Sequence, residues 1–124
     1  MRTVSPKRVL VVDDEPALID VIVEHLIDSP YIVETATNGA DALAAVARDR
    51  PDVVLLDIKM PGLDGMDVLK EIRRRDPSIA VIMVSGLADV ATTAEALRHG
   101  AFGYVPKPFD LRYLKHLVAA GIAT

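Results

Sequence analysis

The stretch Val53-Val54-Leu55-Leu56-Asp57-Ile58-Lys59-Met60-Pro61-Gly62-Leu63-Asp64-Gly65 decides the fold. Four apolar residues in a row, with no polar alternate, suit a strand covered on both faces, and hence a central one. The run ends on a carboxylate, and Pro61-Gly62 then makes residues 58–63 a loop. Three other stretches follow the same grammar. Val9-Leu10-Val11-Val12 closes on Asp13-Asp14, Val81-Ile82-Met83-Val84 closes on Ser85, and Phe102-Gly103-Tyr104-Val105 leads into Pro106-Lys107-Pro108.

Helical patterns separate these strands. Pro16 suits a first helical turn, where a missing N–H costs nothing, and Leu18, Ile22 and Leu26 recur at a spacing of four until Ser29-Pro30. Residues 31–37 form a more polar strand, with Glu34 and Thr35 inside it, and belong at a sheet edge. Asn38-Gly39 signals a turn or cap before an alanine-rich helix over 40–50 with Leu43 and Val46. Asp64 can cap the next helix, which turns Met66, Leu69 and Ile72 inward. Residues 88–99 make a weak helix of Ala and Thr whose large apolar residues are Val90 and Leu97, closed by Gly100. A last helix covers 111–119, with Leu111, Leu114, Leu117 and Val118. Five such units imply an α/β fold: a doubly wound parallel sheet with helices on both faces. Ligands of such sheets bind beyond the carboxyl ends of the strands, where Asp13, Asp57, Ser85 and Lys107 all fall.

Bulk properties bound the function. A chain of 124 residues is one domain, and 51% hydrophobic residues make it globular. The net charge of -4 argues against a nucleic-acid-binding surface. Arg73-Arg74-Arg75, the only basic run, reads as a solvated helix face. With no cysteine, disulfide and thiolate chemistry are absent, which suits a reducing cytoplasm. No apolar stretch approaches the roughly 20 residues of a membrane span, and the first eight residues hold no signal-peptide core.

Asp13, Asp14 and Asp57 gather like charges that a divalent cation would relieve. Mg²⁺ prefers oxygen ligands and uses one or two protein carboxylates. The plainer reading, in which Asp13-Asp14 only starts a turn, loses ground because Asp57 and Lys107 sit at matching strand ends. Lys107, held between two prolines, can neutralise a carboxylate or hold a phosphoryl oxygen, although a lone lysine is more often a turn residue. Ser85 could donate to the same oxygen. His25, His99 and His116 stand singly, without ligand spacing, and read as surface residues.

These residues closely resemble one family, the receiver domain of two-component response regulators. The match is carried by Val11-Val12-Asp13-Asp14-Glu15-Pro16, by Asp57 through Gly65, by Val84-Ser85-Gly86, and by Gly100 through Phe109. It covers the chain from about Lys7 to Ala119, so residues 1–124 are expected to form a single domain with a core of about 7–119. The resemblance implies a flavodoxin-like sheet of order 2-1-3-4-5 flanked by five helices. It implies that Asp57 accepts a phosphoryl group from a phosphohistidine on a sensor histidine kinase or phosphotransfer protein. Asp13 and Asp14 would hold Mg²⁺, with Asp14 the better candidate for direct ligation, joined by Asp57 and the backbone carbonyl of Lys59. Ser85 and Lys107 would bind phosphoryl oxygens, and the Lys107–Pro108 bond would be cis. Tyr104 matches the family's switch aromatic, although a half-buried strand tyrosine would look the same.

By the same analogy, the fourth helix, fifth strand and fifth helix, with Arg98, Tyr104, Arg112 and Lys115, form the face for an effector domain or target. Pairing of two copies on phosphorylation is one form that output can take. The resemblance implies no turnover of external substrates, no direct nucleic-acid binding and no membrane contact. Serine stands at 85 where threonine is more frequent. Lys59 and Leu87 occupy positions that govern water access in relatives, so bulky side chains there are expected to slow hydrolysis. Two other readings are weighed: a phosphorylation-independent interaction module of this fold, against which the intact Asp13-Asp14 pair, Asp57 and Lys107 argue, and a small-substrate phosphatase or phosphotransferase. The second lacks an acid two residues after Asp57, where Lys59 stands.

Overall fold

The structure, a computed structural model, describes residues 6–86 and 90–123. The elements run β1 (Lys7–Val12), α1 (Pro16–Leu26), β2 (Tyr31–Ala36), α2 (Gly39–Arg48), β3 (Val53–Asp57), α3 (Gly65–Arg75), β4 (Ala80–Ser85), α4 (Val90–Arg98), β5 (Gly103–Pro106) and α5 (Leu111–Ala123). The strands pair in parallel in the order β2-β1-β3-β4-β5, as the resemblance implied. β3 is buried at every position, which is why its sequence shows no alternation.

Strand parity divides the core. Leu10, Val12, Val54, Leu56, Val81 and Met83 meet α2, α3 and α4 on one face. Val9, Val11, Val53, Leu55, Ile82 and Val84 meet α1 and α5 on the other. Edge strand β2 tolerates Glu34 because Arg8 and Arg48 each bond its carboxylate, at 2.8 and 3.0 Å.

Local chemistry sets the helix starts. Pro16 opens α1; Asn38 and Asp64 accept from the N–H groups of Asp41 and Asp67 to cap α2 and α3. The basic run closes α3, where positive charge suits the carboxyl end of the helix dipole.

Two helices depart from expectation. In α4 only Ala96 is buried, whereas Val90 is 84% and Leu97 52% exposed. A small residue makes the close contact, and the large apolar side chains lie outside. The expected start of this helix at residue 88 lies outside the described residues. Helix α5 runs past residue 119 to Ala123, because Gly121 admits close packing on the sheet: a Cβ there would lie 3.0 Å from Val53 and 3.1 Å from Ala80.

Candidate functional site

The site follows from strand parity. Val9 pairs with Val53 and Val11 with Leu55 across β1 and β3. Asp13 and Asp57 are the next residues in those rows, so their side chains converge just past the strand ends. The β1/β3 boundary is also where strand order reverses, leaving a crevice between the outgoing loops. Ser85 ends β4, and the backbone N–H of Lys107 donates to its carbonyl at 2.8 Å. That bond brings the lysine over the crevice from the far side. The Lys107–Pro108 bond is cis.

Asp13 and Asp57 are only 2% and 5% exposed, while Asp14 is exposed. The Lys107 ammonium donates to Asp13 Oδ2 at 2.9 Å and stands 3.5 Å from Asp57 Oδ2. The second oxygen of Asp13 accepts from the backbone N–H of Glu15 at 2.9 Å. A cavity of about 290 Å³ opens from this cluster, with Asp14, Glu15, Lys59, Ser85 and Gly86 completing its walls.

Charge is unbalanced here. Burial pushes the Asp57 carboxyl up to about 6, with the charges of Asp13 and Asp14 adding to it and Lys107 opposing. Burial works against the Lys107 ammonium too. Its bond to Asp13 and the charge of Asp57 outweigh that effect and hold it above the ordinary lysine value. Three carboxylates face one ammonium. One oxygen from each of Asp13, Asp14 and Asp57 lies within 4.8 Å of the others, the one such acidic group found among the described residues. Hard oxygen donors with excess negative charge fit a divalent cation of the oxygen-ligand class.

The other expected residues fall in distinct places. The Lys59 side chain is exposed at the cavity mouth. Tyr104 is half-buried on β5 and lines a separate groove of about 450 Å³ with Val90, Ala94, Leu97 and Pro106. Arg98, Arg112 and Lys115 are exposed on α4 and α5, and all three histidines are exposed. Leu87 lies outside the described residues. Glu15 was given no role from the sequence, yet its N–H orients Asp13. The available signal was an Asp two residues before it, the spacing of an Asx turn.

Comparison with known proteins places this geometry. The chain matches the family described as response regulator receiver domain over residues 9–119. It is 40% identical over 115 residues to the DNA-binding transcriptional regulator NtrC of Escherichia coli K12, covering 93% of this chain and 24% of that protein. It is 43% identical over 111 residues to the regulatory protein AtoC of the same organism, covering 90% of this chain and 24% of that one. Among solved structures, a CheY-like response regulator receiver domain from Methanospirillum hungatei superposes with a TM-score of 0.91 at 31% identity, covering 96% and 95% of the two chains. The receiver domain of NtrX from Brucella abortus gives 0.88 at 36%, covering 94% and 98%.

The fold and site define a phosphoacceptor signalling domain, not an enzyme that turns over external substrates. The chain belongs to the response regulator receiver family of two-component systems. It spans about a quarter of the length of these curated relatives. Its acidic triad is consistent with the metal site typical of receivers. Among the described residues, no helix is long and apolar enough to cross a membrane.

Proposed function

We propose that this chain acts as one receiver unit in which Asp57 takes a phosphoryl group from a phosphohistidine of a sensor kinase or phosphotransfer protein. An oxygen of Asp57 bonds to phosphorus as the phosphorus–nitrogen bond breaks, and the electron pair leaves with the imidazole, which takes a proton. Asp13, Asp14, Asp57 and the backbone carbonyl of Lys59 would hold Mg²⁺. When bound, Mg²⁺ withdraws charge from the phosphoryl oxygens and keeps Asp57 ionised. The observation that carries this reading is the Lys107 ammonium, 2.9 Å from Asp13 and 3.5 Å from Asp57 at the floor of an open cavity. In this reading Lys107 exchanges part of its bonding for a phosphoryl oxygen, and Ser85 donates to another.

Phosphorylation adds about −1.5 to −2 charges beside Lys107. Ser85 and Tyr104 then bias the face formed by α4, β5 and α5 toward its partner-binding form, presented to an effector domain, a target or a second copy. In this reading the chain works in the cytoplasm, where such a donor would meet it. Lys59, at the cavity mouth, and Leu87, by the family analogy alone, are expected to slow hydrolysis, so Lys59→Ala and Leu87→Ala should shorten the phosphoryl lifetime. Unchanged lifetimes would remove them from that role.

The deciding experiment is incubation with acetyl phosphate or beryllofluoride in Mg²⁺, read by intact mass and amide NMR shifts. One phosphoryl group per chain is expected, and none on Asp57→Ala. No uptake, or undiminished uptake by Asp57→Ala, overturns the proposal.

A further inference from the structure

We infer that Gly39, on α2 and outside the acidic cavity, is a positioning residue that buttresses the loop delivering the Lys59 carbonyl to the metal; the inference rests on the Mg²⁺ reading above. Residues 58–64 join β3 to α3, and most of their outer part (Lys59, Pro61, Gly62, Leu63, Asp64) is exposed. Two features fix the loop internally. Gly62 turns the chain at φ 78°, and the Gly65 N–H donates to the Ile58 carbonyl at 2.7 Å. A Cβ on Gly65 would stand 2.0 Å from the Asp57 carbonyl oxygen, so α3 starts hard against the site strand.

Gly39 supplies the outer wall. It is the first residue of α2, held there by the Asn38 cap. A Cβ on it would lie 2.6 Å from the Leu63 carbonyl oxygen and 2.9 Å from Val68 Cγ2. Its φ lies outside the left-handed region, so glycine is needed for room and not for conformation. The neighbours differ in what they can yield. Val68 is fully buried, whereas Leu63 is 38% exposed. A methyl group at 39 would therefore displace the loop and leave the core in place. The displaced peptide lies four residues from Lys59, within a segment whose ends are pinned.

Helix propensity and loop position then pull in opposite directions. Alanine is a better helix residue than glycine, so Gly39→Ala should change overall stability little while misplacing a metal ligand. Disturbing groups that orient ligands typically weakens metal binding about 10–100-fold. A useful control is Gly121, also crowded, though less tightly, by the side chains of Val53 and Ala80 at 3.0 and 3.1 Å, but at the other end of β3 and β4.

The test is Mg²⁺ titration of the full chain, followed by amide NMR shifts, with thermal melts run alongside. Gly39→Ala is expected to raise the Mg²⁺ Kd about tenfold and to shift the amides of residues 58–64 without metal. In acetyl phosphate reactions its half-saturating Mg²⁺ should rise, while the rate at saturating Mg²⁺ returns to that of the unsubstituted chain. Gly121→Ala is expected to lose thermal stability and keep its Mg²⁺ affinity. An unchanged Kd in Gly39→Ala, or an equal weakening in Gly121→Ala, overturns the buttress. Should Gly39→Ala not fold, Leu63→Gly removes the Cβ facing Gly39 and frees the loop backbone that Gly39 abuts, and an unchanged Kd there overturns it equally. Absence of Mg²⁺ binding by the unsubstituted chain would instead sink the metal reading itself.

Discussion

In the proposed role Asp57 must be ionised to attack phosphorus, yet burial and then Asp13 push its carboxyl up to about 6. An unfolded aspartate titrates near 3.9. Between about pH 4 and pH 6 the folded chain therefore holds more protons than the unfolded chain, and stability falls as pH rises through that window. Above it the loss is complete. Asp57→Asn cannot ionise and escapes the loss. In EDTA at pH 7.5 the variant should be the more stable form, by about 1–2 kcal/mol, below the roughly 3 kcal/mol that two pKa units would convert to. The gain should shrink steadily toward pH 4. Urea midpoints at several pH values would show it, and a variant no more stable at pH 7.5 than at pH 4 would contradict the assigned strain. Much of this was legible in the chain: Asp13 and Asp57 end apolar runs, and parity alone makes them meet. The bond from Glu15 to Asp13 was harder to read, because an Asx turn here looks like any acidic turn.

At the level of elements, the end of the sheet opposite the site is tied by polar contacts between loops. Arg50, between α2 and β3, donates to Asp76 at 2.5 Å and to Ser78 Oγ at 2.6 Å, joining that segment to the one between α3 and β4. The Ser78 hydroxyl, and then Arg50, hold the Asp76 carboxyl down at about 2. A depressed acid adds stability that is present above about pH 4 and lost as pH falls through about 2. The groups are solvent-facing, so the contribution is below about 1 kcal/mol. Asp76→Asn should lower the urea midpoint slightly at pH 7 and not at all near pH 2; an equal loss at both would assign the effect to packing. The strands and α1, α3 and α5 were readable because burial writes itself into composition and period. Helix α4 was readable as a helix but not in its inward face, since the contact it makes is through Ala96 while Val90 and Leu97 face outward. Size was a poor guide to which face is inside. The tight approach of Gly39 to Leu63 was equally hidden. It joins two elements distant in sequence, and glycine beside asparagine reads first as a helix cap.

For the molecule as a whole, the site opposes the fold that builds it. Two apolar layers, one on each face of the sheet, stabilise the chain, while three carboxylates facing a single ammonium at one edge destabilise it. A cation that binds only the folded chain must then raise its stability, by about 2.7 kcal/mol at 100 times Kd. For a domain of this size each kcal/mol moves Tm by about 3–6 °C. Replacing EDTA by saturating Mg²⁺ at pH 7.5 should therefore raise Tm by roughly 8–16 °C. The rise should diminish below pH 6, because a proton on Asp57 competes with the metal. Asp57→Asn should show a smaller rise at pH 7.5 and a weaker pH dependence, since Asp13 and Asp14 still offer carboxylates. Scanning calorimetry at pH 5 and pH 7.5 separates the possibilities. A Mg²⁺-induced rise of the same size at both pH values, or one undiminished in Asp57→Asn, would show that the cation binds somewhere other than this triad. A pH-dependent rise that weakens in the variant would tie folding, metal and phosphoacceptor to one cluster. The excess negative charge that strains the metal-free chain would then also be the source of its affinity for the ion.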